Sequence, residues 1–198
     1  LIWYQADHRG GSTWNLNVPI SNHATAGTYS VHVYVIDSKG GTHAIGTTQF
    51  SVEGPGRGNV SFKNKDEEMG YFTASIDGVT AKAGIRGIQV AVWSATGGQD
   101  DLVWYTASPK ADGTFEVPVD MANHKFTYGT YHVHAYATDN NGVRSISAGS
   151  VVMNQPQASI TAAVNGNHTQ ANVKAVGVTL PGGVKGVQMA VWSNAGGQ

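Results

Sequence analysis

Three histidines and a set of tyrosines are the residues of this chain best suited to chemistry. His132 and His134 stand two apart, so on a strand both imidazoles project from one face at metal-ligand spacing, and His124 is near enough to be a third. The chain repeats itself, however, and the first copy has Ser30 in place of His132, leaving His32 alone on that face. A metal site essential to the repeat should not lose a ligand between copies. The imidazoles are therefore read as surface groups packing on neighbouring aromatics, with no metal or other cofactor. The tyrosines offer a better hypothesis. Alternation sets Tyr105 outward from Trp104, with His134 and Tyr136 outward on a neighbouring strand. The first copy repeats the set as Tyr4, His32 and Tyr34. Such a cluster suits sugars, whose C–H faces stack on rings while polar tips bond hydroxyls. The competing expectation is cross-strand aromatic pairing that only stabilises the sheet.

Nothing in the chain assembles a catalytic set. Asp100 and Asp101 are adjacent, so an extended backbone sends them to opposite sides, the wrong arrangement for an acid and base facing one substrate. Asp139 and Asp37 sit in Asp-x-x-Gly turns and read as turn formers. Gly97-Gly98-Gln99, repeated as Gly196-Gly197-Gln198, has the sequence of the tripeptide of translation release factors. It recurs in a strand-connecting turn without basic, RNA-reading surroundings, so that function is dismissed. No nucleophile–base arrangement, phosphate loop or zinc motif stands at credible spacing, and the fragment reads as non-enzymatic.

The elements that position these residues come in repeated sets. Leu1-Ile2-Trp3-Tyr4 recurs as Leu102-Val103-Trp104-Tyr105, 101 residues on. The run from Gly84 to Ser94 recurs from Gly183 to Ser193, 99 residues on. A period near one hundred is too long for a solenoid and fits tandem small domains, which argue for multivalent binding or spacing before catalysis. Period-2 alternation predicts strands near residues 71–76, 85–94, 102–107, 114–119, 130–138 and 145–153. Turn chemistry separates them, as in Ala111-Asp112-Gly113 and Asp139-Asn140-Asn141-Gly142. This is the pattern of an all-β, immunoglobulin-like sandwich. Gly129-Thr130-Tyr131 and Gly27-Thr28-Tyr29 read as tyrosine corners, and Trp104 and Trp3 as the buried core tryptophan of the third strand. The expected core is Val90, Val92, Trp104, Tyr131 and Val133, with Trp93 and Trp192 outward.

Proline and glycine place the joints at residues 53–58 and 154–157. Residues 1–54 are then the C-terminal part of one repeat, 59–153 a complete central repeat, and 158–198 the N-terminal part of a third. The alternative frame, with the joint near Gly97-Gly98-Gln99-Asp100-Asp101, is less favoured because that run lies between two alternating segments. The half repeats are complementary in sequence, so head-to-tail association between molecules is expected.

With 12 Lys and Arg against 13 Asp and Glu, a formal charge of −1, there is no electrostatic footprint for nucleic acid or an anionic membrane. No apolar run is long enough for membrane insertion. The absence of cysteine argues against a disulfide-stapled eukaryotic sandwich and for a bacterial surface protein or a cytosolic one. Because the chain starts and stops inside a repeat, it is expected to be a piece of a longer protein.

The distributed motif resembles the group B streptococcal Bsp-like repeat. The central copy carries it as Val92-Trp93-Ser94, Gly98-Gln99-Asp100-Asp101-Leu102, Trp104-Tyr105, Asp112-Gly113-Thr114, Asn123-His124, Gly129-Thr130-Tyr131, Val133-His134 and Tyr136. The first copy keeps Trp3-Tyr4, Asn22-His23, Gly27-Thr28-Tyr29, Val31-His32, Tyr34 and Asp37, and the third keeps Val191-Trp192-Ser193. The resemblance implies a non-catalytic module of streptococcal surface proteins or wall hydrolases, secreted to the cell wall or surface of a Gram-positive bacterium. Its implied partner is cell-wall glycan or peptidoglycan. The rival expectation is a spacer, stalk or filament-forming protein with no ligand of its own.

Overall fold

The structure, a computed structural model, describes residues 1–195, so the second Gly-Gly-Gln, at Gly196 to Gln198, lies outside the described residues. The strands are β1 (Asp7–His8), β2 (Trp14–Asn15), β3 (Gly27–Ile36), β4 (Thr42–Val52), β5 (Asn59–Asp66), β6 (Tyr71–Asp77) and β7 (Ile85–Ser94). They continue as β8 (Val103–Thr106), β9 (Ser108–Pro109), β10 (Phe115–Asp120), β11 (Gly129–Asp139), β12 (Arg144–Met153), β13 (Ser159–Val164) and β14 (Ala171–Val176). Two short 3₁₀ turns, Ile20–Asn22 and Met121–His124, occupy equivalent places in the first two copies.

The central copy builds two four-stranded sheets, in the orders β5-β6-β10-β9 and β12-β11-β7-β8. Lettered in chain order, these are A-B-E-D and G-F-C-C′, the strand orders of an immunoglobulin-like sandwich. The fold is all-β, in tandem repeats of that type. Alternation explains the core. Phe72, Ala74 and Ile76 of β6, Val117 and Val119 of β10, Val90 and Val92 of β7, and Tyr131 and Val133 of β11 are all buried. Phe72 meets Tyr131 edge to face at 5.5 Å, one sheet against the other. Gly149 of β12 lets the sheet edges close, since a Cβ there would stand 3.0 Å from Val60 of β5.

Both tyrosine corners form. Tyr131 donates its phenol to the carbonyl of Thr127 at 2.6 Å, and Tyr29 donates to that of Thr25 at 2.7 Å. Alternation alone does not reveal β5. Val60 and Phe62 alternate correctly, but the register slips between Lys63 and Asp66, and Asn64 sits at φ 53°. That irregularity and the lysines flanking it suit an edge strand, which must not invite pairing from another chain.

The chain divides into two compact units. One comprises residues 1–58, 78–88 and 136–146, and the other residues 59–77, 89–135 and 147–198. In the first unit, β3 and β4 pair over their whole length, with a register shift at Val33/Tyr34. In the second, β13 pairs with β14 from Ser159↔Val176 to Val164↔Ala171.

Candidate functional site

Strand β11 sends Tyr131, Val133 and Ala135 into the sandwich, so His132, His134 and Tyr136 fall on its opposite, half-buried face. Strand β7 is its neighbour. Val90 and Val92 point inward there, which turns the half-buried Trp93 outward, as its parity predicts. The indole of Trp93 lies 5.4 Å from the His132 ring and 4.7 Å from that of His134, nearly perpendicular to the latter. One strand further, Trp104 stands directly opposite Ala91 in the β7–β8 register. Trp104 is 55% exposed, whereas Ala91 is 2% exposed. A small side chain at that cross-strand position leaves room for a large ring beside it. The outer face thus carries two indoles and two imidazoles without a carboxylate or ammonium among them, and Tyr136 occupies the next alternate position of β11.

Trp104 is therefore not the buried core tryptophan expected from sequence, and Tyr105 is not outward. Register with Val90 turns Tyr105 inward. Its phenol ends 2.9 Å from Nε2 of His124, which is fully buried. The other ring nitrogen, Nδ1, lies 3.0 Å from the backbone carbonyl of Asp101. A carbonyl can only accept, so Nδ1 carries the proton and Nε2 accepts from the Tyr105 hydroxyl. Burial pushes the His124 pKa down and the Tyr105 pKa up, which keeps both groups neutral. The Asp120 side chain accepts from the Ala122 amide at 2.8 Å, capping the 3₁₀ turn that presents His124. A polar lock takes the place of a core indole.

The first copy repeats both arrangements. Tyr4 meets Nε2 of His23 at 3.0 Å and accepts from the Asn22 amide at 3.3 Å, so Tyr4 belongs to the lock as well. Trp3 is 70% exposed, with its ring 5.3 Å from Tyr34, and His32 lies 6.5 Å from Tyr34. Beside them a shallow concavity is lined by Ser30, His32, Thr47, Thr48 and Gln49, whose hydroxyls and amide offer hydrogen bonds. Of the six residues chosen from sequence, His134, Tyr136, His32 and Tyr34 share the outer faces, while Tyr105 and Tyr4 turn inward. Sequence reasoning left out Trp104, Trp3 and Trp93 as site residues. The signal available for the first two was the Asn-His pair retained in both copies, which supplies the inward partner of each tyrosine.

The acidic residues behave as structural groups. Asp101 is buried and accepts from the Ser94 amide at 3.0 Å, while Asp100 is exposed and meets Lys125 at 2.8 Å; both lie in a turn, not on the extended backbone expected from sequence. Asp139 accepts from the amides of Asn141 and Val143, and Asp37 from those of Lys39 and Gly41, closing their turns. Gly97 and Gly98 hold φ of 78° and 73° in a tight connection after β7. Among the described residues, no three histidine or carboxylate side chains converge on a metal-sized space.

This architecture of tandem sandwiches has a family. Residues 1–50 and 61–151 match the GBS Bsp-like repeat, and the chain belongs to that family. The family is typical of bacterial surface proteins, and among the described residues no helix is long and apolar enough to cross a membrane. No curated protein matches the chain.

Among solved structures, the chain is similar to a tetra-tandem repeat in the extending region of a large adhesion protein, at 19% identity and TM-score 0.43. That match covers 71% of this chain and 35% of the other. It is also similar to polysaccharide deacetylases from Bacillus cereus (15% identity, TM-score 0.43) and Bacillus anthracis (14%, 0.42). Each of these covers 52% of this chain and 31% of the other. The chain thus spans about a third of the length of the structures it matches.

Proposed function

We propose that the repeats bind cell-wall glycan through the outer face of the β12-β11-β7-β8 sheet, at Trp104, Trp93, His132, His134 and Tyr136. Trp3, His32 and Tyr34 form the equivalent face of the first copy. The observation that carries this reading is Trp104, an indole 55% exposed on a regular sheet face. Leaving such a ring in water forgoes hydrophobic stabilisation, which a sugar ring stacked on it would recover. The neighbouring imidazoles supply donors and acceptors for hydroxyls, and the face carries no carboxylate to repel an anionic polymer. Affinity per repeat is weak, on the order of ~1 mM, and avidity on a polymer makes it useful. The repeats accordingly act as a targeting module at the wall or surface of a Gram-positive bacterium, in a parent protein that carries any hydrolase activity elsewhere.

The organisation that goes with this reading is a complete repeat at 59–153, flanked by parts of two others at 1–54 and 158–198. Binding to purified sacculi tests the function. The chain should sediment with them, and Trp3→Ala combined with Trp104→Ala should leave it in the supernatant with folding intact. Retention of the double variant on sacculi would remove this face, and failure of the unaltered chain to sediment would favour a spacer.

A further inference from the structure

We infer that consecutive repeats dock through a built interface at each joint, so that the joint residues work as a fitted coupling rather than a free tether. The partner surface is the turn-bearing end of the next repeat. The residues involved are separate from the aromatic face, and the coupling stands whether or not that face binds glycan.

Both joints place proline third after the last strand of the preceding repeat, Pro55 after Val52 and Pro156 after Met153. At the first joint Pro55 is buried, and the Gly56 amide donates to the Thr80 carbonyl at 2.8 Å. The Ser145 hydroxyl donates to the Gly56 carbonyl at 3.3 Å, and Lys82 pairs with Glu53 at 3.0 Å. Gly54 is there because nothing larger fits: a Cβ would lie 2.7 Å from Val143 and 3.3 Å from Ala26. Gly142 is similarly close-set, its Cβ position 3.3 Å from that of Ala24. The loop following the 3₁₀ turn of one repeat, with Ala24 and Ala26, therefore meets the turn around Gly142 and Val143 of the next. Asn140 ties that turn to the one before β7 by donating its amide to the Ala83 carbonyl at 2.7 Å.

At the second joint the loop after the 3₁₀ turn again faces a turn of the following repeat. Phe126, in the loop after the central 3₁₀ turn, lies against Gly182, where a Cβ would be 3.2 Å from the ring. Gly182 occupies the position of Ala83 in the following repeat. Pro181 presses on Gly70, whose Cβ position is 2.6 Å away. Glu67 accepts from both the backbone and side-chain amides of Asn154, at 2.8 and 2.9 Å, and also pairs with Lys65. A flexible linker would have no reason to bury Pro55, exclude a side chain from Gly54, or satisfy the Gly56 amide on the next repeat. Two joints of different sequence both bring the loop after the 3₁₀ turn against a glycine of the following repeat, Gly142 at the first and Gly182 at the second.

The test uses the whole chain and weak alignment in solution, read by residual dipolar couplings. The β3–β4 hairpin and the turn segments 78–88 and 136–146 that the joint contacts should share one alignment tensor. Independent tensors would overturn the inference. In Gly54→Val the new side chain cannot fit against Val143, so the hairpin should acquire its own tensor and protection of the Gly56 amide from exchange should fall about ten-fold. The couplings within 59–153 should stay unchanged, because Gly54 lies outside the central strands. Gly56 protection and a shared tensor that survive Gly54→Val would equally overturn the fitted coupling.

Discussion

The first and central copies carry the same signals and differ in what covers them. Tyr131, Val133, Ala135 and Ala137 of β11 are at most 4% exposed. The equivalent positions of β3 are Tyr29, Val31, Val33 and Val35, of which Val33 is 44% and Val35 46% exposed. The local chemistry is otherwise retained, down to the tyrosine corner and the tyrosine–histidine lock. Alternation therefore selects the face of a strand, but burial is supplied by the opposing sheet, and β3–β4 is a two-stranded hairpin. The terminal segment teaches the same lesson: Val187, Met189 and Val191 are 53%, 49% and 83% exposed, although their counterparts in β7 are wholly buried.

The largest expected effect breaks the comparison directly. Tyr131→Ala removes a fully buried ring that touches Phe72 and His124, and should cost about 3–5 kcal/mol, enough to unfold an ordinary domain. Tyr29→Ala removes a half-buried ring that stacks on Phe50 and meets His23 edge-on, and should leave the main melting transition almost unchanged. Equal losses of stability in calorimetry would show that the first copy is as well covered as the central one.

Next in size is association. The exposed apolar face of β3–β4 and that of residues 184–191 are complementary by sequence, and the β7–β8 register tells how they would meet. Val90↔Tyr105 becomes Met189 against Tyr4 of a second molecule, and Ala91↔Trp104 becomes Ala190 against Trp3. We expect head-to-tail oligomers whose mean mass rises with concentration in sedimentation velocity. A monomer at every concentration would count against completion between molecules.

How much of this was legible in the sequence follows from the range of the deciding contacts. The tyrosine corner was readable because the Gly turn, the Tyr and its acceptor lie within four residues of one another. The inward faces of β6, β7 and β11 were readable because each strand is long enough to show its period. Strand β8 has only four residues, and Val103, Trp104 and Tyr105 are all suited to a core. Its parity is fixed by register with β7 and by His124, 19 residues beyond Tyr105, and no local pattern encodes either. Sequence therefore finds the aromatic face but puts Tyr105 and Tyr4 on it in place of Trp104 and Trp3. The fitted joints were invisible for a related reason, because proline and glycine read alike in a loose linker and in a close contact.

A smaller effect concerns pH. His124 has its pKa pushed below the ordinary histidine value by burial, and only its neutral form accepts from Tyr105. The unfolded chain, titrating near about 6.5, then binds a proton more readily than the folded one. This group's stability is present in full above that pH and is lost as the pH falls toward the folded-state value. Thermal melts of the central repeat should fall between neutral and mildly acidic pH, and His124→Gln should flatten that slope while lowering the melting temperature at neutral pH. An unchanged slope in His124→Gln would assign the acid sensitivity to other groups.

The smallest change in stability belongs to the substitution with the sharpest meaning for the site. Trp104→Ala removes a ring that is more than half in water, so the melting temperature should stay within a few degrees. Tyr105→Ala, one residue on, leaves the buried Nε2 of His124 without a donor and opens space beneath β8, at a cost of about 1–3 kcal/mol for the unsatisfied nitrogen alone. Binding to sacculi should divide the other way. It should weaken in Trp104→Ala, and it should survive in Tyr105→Ala at temperatures where that variant is still folded. The opposite pattern, with stability lost in the tryptophan variant and binding lost in the tyrosine variant, would restore the parity read from sequence. Loss of binding in both, with Tyr105→Ala still folded, would mean that the lock positions the outer indole through β8, and the glycan surface would then extend through the strand to its buried face.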